Sequence, residues 1–181
     1  KVIVTTRSIS NARKKIPIKS RNLKLVLLNV LKKNEISSLI KRFKPNYIYY
    51  FASQSSPVIS FKKNRVTYLS NVKGCLNFLE IINLKDKKIK FINASSSEIF
   101  SSRVKKISLN SKKIPISPYG KAKLISYNKT KFFRDKKKLK AYNAIIFNSE
   151  SYFRDKSFLI PKICLAAIRA KKLKKGTSFG N

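Results

Sequence analysis

Tyr119 and Lys123 stand four residues apart in the run SPYGKAK, Ser117 to Lys123. On a helix that spacing puts both side chains on one face, so a phenol and an ammonium can meet at a single point. An isolated phenol ionises near pH ~10 and is a poor base at neutrality; a fixed cation beside it stabilises the phenolate and makes proton abstraction feasible. The pair alone says little in a chain with eight Tyr and 43 Lys and Arg. Its context says more. Upstream, KIKFINA (Lys88 to Ala94) is β-branched and aromatic, the pattern of a buried strand, and it ends in Ser95, Ser96, Ser97 and Glu98. Hydroxyls and a carboxylate then fall at the carboxyl end of a strand, where open α/β sheets bind ligands. The same serines also read as a turn or a helix cap, and a capping serine can neighbour a catalytic one.

The elements that must position these groups alternate. Apolar runs predict strands at Val2 to Thr5, Leu23 to Asn29, Tyr47 to Phe51, Ile89 to Ala94 and Ala141 to Phe147, with helical periodicity between most of them. Asn34 is the expected cap of a helix through Phe43, Asn64 opens a longer one through Ile82, and Tyr119 begins a third. Alternating β and α segments imply a parallel sheet with helices on both faces. A chain of 181 residues that is 43% hydrophobic can bury a sizeable core. Dinucleotide-binding folds usually begin with a strand, a glycine-rich turn and a helix that receives the pyrophosphate. No GxxGxxG run occurs, and the chain has four glycines and no Met. In the strand order 3-2-1-4-5-6 the strand before that turn is central. The chain therefore reads as a fragment starting at the second strand, poorly stable alone and a weak dinucleotide binder.

Further segments complete a recognisable pattern: PNYIYYFASQSS (Pro45 to Ser56), NVKGCLNFLEII (Asn71 to Ile82), FINASSSEIF, ISPYGKAKL, AIIFNSES (Ala144 to Ser151), FLIPKI (Phe158 to Ile163) and the closing Gly180 and Asn181. Together they resemble the extended short-chain dehydrogenase/reductase family and, within it, the GDP-mannose 4,6-dehydratase branch. Of seven acidic residues, Glu80, Glu98 and Glu150 fall in these segments. The resemblance implies an α/β, Rossmann-like doubly wound sheet lacking its first strand and its C-terminal substrate part. Residues 1–147 would be a partial NADP-binding domain and 148–181 the start of a substrate-binding region.

By the same resemblance, Tyr119 and Lys123 would deprotonate the C4 hydroxyl of GDP-mannose as hydride passes to NADP. Glu98 would then take the C5 proton, and water would leave C6 with help from Ser96 before hydride returns there, giving GDP-4-keto-6-deoxymannose. The implied cofactor contacts are Arg7, Ser8, Asn29, Phe51, Ala52, Ser53, Gln54, Ser55, Lys123, Ser149 and Arg154. Ser97, Asn148, Glu150 and Lys162 would meet substrate. An arginine at position 7 suits an adenosine 2′-phosphate because its planar fork matches phosphate geometry; it also reads as a solvated side chain in a basic chain. Ser96 stands where the family usually has threonine, Ser149 where it has histidine and Asn29 where it has aspartate.

The net charge of +36 raises a second class of function, affinity for nucleic-acid backbones, with Lys136 to Lys138 and Lys171, Lys172, Lys174 and Lys175 as candidate patches. The basic residues are spread through the chain and match no nucleic-acid-binding motif, so no specific nucleic-acid partner is expected. Another nucleotide-sugar epimerase or dehydratase, or an inactive basic remnant, are the remaining readings. Cys75 and Cys164 have no metal-like spacing and read as core thiols. With no His in the chain, a metal site is not expected. Neither a membrane span nor a signal peptide is apparent, and a cytoplasmic, homo-oligomeric enzyme of nucleotide-sugar metabolism is the expectation.

Overall fold

In a computed structural model, which describes residues 1–16, 20–100, 106–156 and 158–173, all strand pairing is parallel. β1 (Val2–Thr6) pairs with β2 (Leu23–Leu27), from Val2 opposite Leu23 to Thr6 opposite Leu27. β3 (Tyr47–Tyr50), β4 (Lys90–Ser96) and β5 (Ala141–Ile146) form a second sheet in that order. Parallel neighbours need crossovers, and helices supply them. α1 (Ile9–Lys15) follows β1, α2 (Lys33–Phe43) follows β2 and α6 (Pro118–Lys137) links β4 to β5. Between β3 and β4 run α3 (Pro57–Lys62), α4 (Asn64–Tyr68), a π-helical turn (Leu69–Lys73) and α5 (Gly74–Lys85).

Among the described residues the pairings β2-β1 and β3-β4-β5 match the two flanks of the Rossmann order, with no strand pairing the two sheets. Among the described residues β1 is hydrogen-bonded only to β2, and β3 only to β4. Val2, Tyr47 and Tyr49 stay 57%, 50% and 61% exposed, although inner strands of parallel sheets are normally covered on both faces. The α/β, Rossmann-like, partial architecture read from the sequence is the one observed.

One apolar cluster ties the elements together. Leu28 just after β2, Ile36 and Ile40 of α2, Cys75, Phe78, Leu79 and Ile82 of α5, and Phe91 of β4 are all buried in it. Tyr50, Phe78 and Phe91 pack with ring centroids 5.5 to 6.3 Å apart, so β3, α5 and β4 share one aromatic core. A helix as apolar as GCLNFLEII suits this interior place.

Three sequence expectations are corrected. Asn34 lies inside α2, whose N-cap is Lys32 with no side-chain cap bond. Its role at that end passes to Glu35, whose Oε2 accepts the Asn29 N–H at 2.8 Å and whose Oε1 pairs with Lys32 at 3.2 Å. A carboxylate in the first turn favours the helix dipole. β4 extends two residues beyond Ala94, since Ser95 and Ser96 pair with Ile145 and Ile146. Cys75 is buried but Cys164 is exposed on α7 (Leu159–Leu173). Among the described residues of that helix the buried one is Ala166, and residues two positions apart on a helix lie on nearly opposite sides.

The chain divides into two compact units, Lys1–Phe147 and Asn148–Asn181. In the second, Arg154 stacks 3.8 Å from the centroid of Phe158 and stands 3.8 Å from Glu150. Gly180, Asn181, Lys174 and Lys175 lie outside the described residues.

Candidate active site

Ser117 and Pro118 start the helix that carries the reactive pair. Ser117 Oγ accepts the Gly120 N–H at 3.0 Å, and Pro118 occupies the first turn, where its missing N–H goes unneeded. Tyr119 and Lys123 follow one turn apart, both buried. Among the described residues Lys123 is the one charged side chain with burial this deep, at 4% exposed. Its burial is not a by-product of a lysine-rich chain, because burying an ammonium is costly unless it is bonded.

The bond is found on β4. Lys123 Nζ donates to the Ala94 carbonyl at 2.7 Å and lies 5.6 Å from the centroid of the Tyr119 ring. Burial pushes the Lys123 ammonium down to about 8, so it remains mostly a cation at neutral pH. The α6 N-terminus is held from another direction by Ser60 of α3, whose Oγ accepts the Tyr119 N–H at 3.1 Å and donates to the Pro57 carbonyl. Sequence reasoning missed Ser60 and the Ala94 carbonyl. No local pattern marks either, since one is a backbone acceptor and the other acts across 59 residues.

Ser96 and Glu98 sit where β4 turns into a 3-10 helix, Ser97–Ile99. Ser96 Oγ accepts the Glu98 N–H at 3.2 Å, so the serine caps that turn and keeps its own proton to donate elsewhere. Glu98 is exposed, and Ser97 is half-buried beside it. This turn packs directly on α6. A methyl group at Gly120 would come within 2.5 Å of the Glu98 carbonyl and 2.9 Å of Pro115 Cβ. Glycine therefore sets the approach of Glu98 to the Tyr119 turn. Gly120→Ala is expected to destabilise by about 1–3 kcal/mol and Gly120→Val by more, read as a shift in the urea midpoint. An unchanged midpoint in the valine variant would contradict this tight approach.

The other predicted positions follow strand ends. Arg7 is exposed after β1. Ser8 caps α1, its Oγ accepting the Asn11 N–H at 3.3 Å. Asn29, after β2, uses Oδ1 to accept the Leu31 N–H at 3.0 Å. Phe51, Ala52 and Ser55 are exposed after β3, while Ser53 and Gln54 are half-buried. Asn148, Ser149, Glu150, Arg154 and Lys162 belong to the second unit, where all but half-buried Arg154 are exposed.

A nicotinamide dinucleotide fits these residues at one end. A buried cation beside a phenol at the carboxyl end of β4 is suited to its nicotinamide end. The described glycines form no phosphate cradle: the space beside Gly74 is filled by the Tyr50 hydroxyl and Val30, and that beside Gly120 by Glu98 and Pro115. Cys75 is an inert thiol, 3.9 Å from Thr130 Oγ1 and pushed up to about 12 by burial. Among the described residues no group of His, Cys, Asp and Glu is placed to hold a metal, and no helix is long and apolar enough to cross a membrane.

Comparison with known proteins agrees with this arrangement. The fold is that of Rossmann-like nucleotide-sugar epimerases and dehydratases. Residue-for-residue similarity narrows the class: the family model described as GDP-mannose 4,6 dehydratase matches residues 2–181, and the chain belongs to that family. It is 32% identical over 138 residues to the GDP-mannose 4,6-dehydratase sdnI of Sordaria araneosa, covering 74% of this chain and 25% of that protein. To the GDP-mannose 4,6-dehydratase of Vibrio cholerae serotype O1 it is 30% identical over 165 residues, covering 88% of this chain and 44% of that one. Thus the chain spans less than half the length of these relatives. The dTDP-glucose 4,6-dehydratase DesIV of Streptomyces venezuelae, solved with NAD, superposes with a TM-score of 0.78 over 94% of this chain and 53% of its own, at 20% identity. RMD of Pseudomonas aeruginosa, solved with NADPH, gives 0.70 over 84% and 53%, at 19% identity.

Proposed function

We propose that the full-length protein carrying this chain is a GDP-mannose 4,6-dehydratase that uses NADP. One observation carries the reading: a buried Lys123, bonded to the end of β4, lies against Tyr119 while Ser96 and Glu98 occupy the next turn of the same strand. Membership of the family supports the substrate, GDP-mannose, and the product, GDP-4-keto-6-deoxymannose.

When bound, NADP would supply reversible hydride transfer between C4 and C6 of the hexose. The chain's own residues move the protons. Tyr119, its phenolate favoured by the Lys123 cation, takes the C4 hydroxyl proton. A ketone at C4 acidifies C5, and Glu98 accepts the C5 proton through its exposed carboxylate. Ser96, with the proton its capping role leaves free, hydrogen-bonds the C6 hydroxyl, which departs as water with the proton Glu98 took from C5; a solvent proton restores C5–H as hydride reaches C6, and Tyr119 releases its proton to solvent. Arg7 supplies a guanidinium for a 2′-phosphate, the basis for choosing NADP over NAD. Asn148, Glu150 and Lys162 are assigned to the nucleotide sugar, Ser149 and Arg154 to the cofactor side. A cytoplasmic homo-oligomer is the matching cellular form.

The test is turnover of GDP-mannose by the full-length protein with NADP, followed by the appearance of the 4-keto sugar. Turnover of a different nucleotide sugar in place of GDP-mannose would reassign the substrate. A folded protein that binds no dinucleotide would refute the enzymatic reading.

A further inference from the structure

Gln54, four residues past β3, has all four of its polar groups engaged inside the protein. Its backbone N–H donates to Ser70 Oγ at 3.1 Å, and its carbonyl accepts from Asn71 Nδ2 at 3.2 Å. Its side-chain Oε1 lies 3.2 Å from Thr67 Oγ1, whose single proton is shared with the Lys63 carbonyl at 2.9 Å. Its Nε2 donates to the Ser56 carbonyl at 3.0 Å. Thr67, Ser70 and Asn71 are spaced i, i+3, i+4 and so form one face where α4 enters the π turn.

The π turn is part of the device. It shifts the helical hydrogen-bond ladder by one residue, and the Ser70 carbonyl there accepts the Tyr50 hydroxyl at 2.5 Å. Gly74 makes room for that hydroxyl. The chain is thereby held at Tyr50, the end of β3, and again at Gln54 on the way to α3, both times by the same turn. α4 and the π turn also pack on α6, and Ser60 of α3 bonds to the Tyr119 N–H. Loop and reactive pair share one rigid support.

We infer that Gln54 is a positioning residue for the loop Phe51 to Ser56. This rests on the proposed dinucleotide site, and it adds a positioning role to the one that family resemblance implies for position 54. Each of these groups is held by at least one bond to the protein, so the orientation of Gln54 is fixed by the turn behind it, and removing a partner frees the loop. The dinucleotide meets Ala52, Ser53 and Ser55, whose placement Gln54 maintains.

The test uses the full-length protein with Gln54→Leu, Thr67→Val and the double variant, NADPH as the probe, and Thr67→Ser as the conservative control. Amide hydrogen exchange across residues 52–56 is expected to rise about tenfold in each single variant, since each removes a bond holding the loop. NADPH affinity should fall about tenfold in each, and the double variant should be no weaker than the worse single, because both act through one clamp. Thr67→Ser restores both readouts. Loss of NADPH affinity in Gln54→Leu with unchanged exchange, no effect of Thr67→Val, or multiplying losses in the double variant overturns the inference. If the parent protein binds no NADPH, the proposed site fails, and the exchange measurement still decides the clamp.

Discussion

Tyr119→Phe in the full-length protein is expected to lower kcat for keto-sugar formation by roughly 10²–10⁴-fold, the range for loss of a positioned general base. Phenylalanine keeps the ring, which is 8% exposed, and removes only the hydroxyl, so folding should be retained. The backbone bond from Tyr119 N–H to Ser60 Oγ at 3.1 Å is untouched by the change. NADPH affinity should therefore stay near the parent value while turnover collapses. A folded variant with more than about a tenth of parent activity would assign the base elsewhere, because ring packing alone cannot supply proton transfer.

Lys123→Met carries the second large effect and reports on stability as well as catalysis. Methionine fills a similar path to the sheet without a charge, leaving the Ala94 carbonyl unpartnered and the phenolate unsupported. Turnover should fall by roughly 10²–10³-fold, within the range for acid–base assistance.

Stability should move with pH in a defined sense. Burial lowers the folded-state lysine from its ordinary 10.5 to about 8. Below pH 8 both folded and unfolded chains hold this proton, and the full penalty for a buried ammonium is present. Between about pH 8 and 10.5 the unfolded chain retains a proton that the folded chain has released, so stability rises with pH across that window. The total is on the order of 3 kcal/mol. Shrinking net positive charge also favours the folded state at alkaline pH, but it does so equally in parent and variant. The difference between their urea-unfolding curves isolates Lys123. Parallel curves from pH 7 to 11 would show that the ammonium is solvated in the folded protein.

Both effects depend on groups far apart in the chain, and this separates the legible from the illegible. The YxxxK spacing, the apolar run into Ser96 and Glu98, and the alternation of strand and helix patterns each arise from neighbours within a few residues. Local periodicity reports such features directly, and all five strands were anticipated to within about two residues at each end, inside the uncertainty expected of sequence patterns. The absent glycine-rich run leads to the expectation of one parallel sheet lacking its central strand, where the structure has two separate parallel sheets among the described residues.

Other features have no local signature. Asn34 looked like a cap, yet α2 begins earlier because Glu35 is held by Asn29 and Lys32. Gln54 reads from the resemblance as one of several cofactor contacts; only the return of the chain as α4 and the π turn puts Thr67, Ser70 and Asn71 around it.

The amino-acid order by itself determined the element types, the parallel α/β class and the presence of a phenol–ammonium pair on one helical face. Tertiary structure alone decided that Lys123 is buried against Ala94, that Gly120 brings Glu98 to the same turn, and that Gln54 faces inward. The physical reason is that propensity and periodicity act over a few residues, whereas burial, desolvation and hydrogen-bond partnership are set by segments that meet only after the sheets and helices have packed.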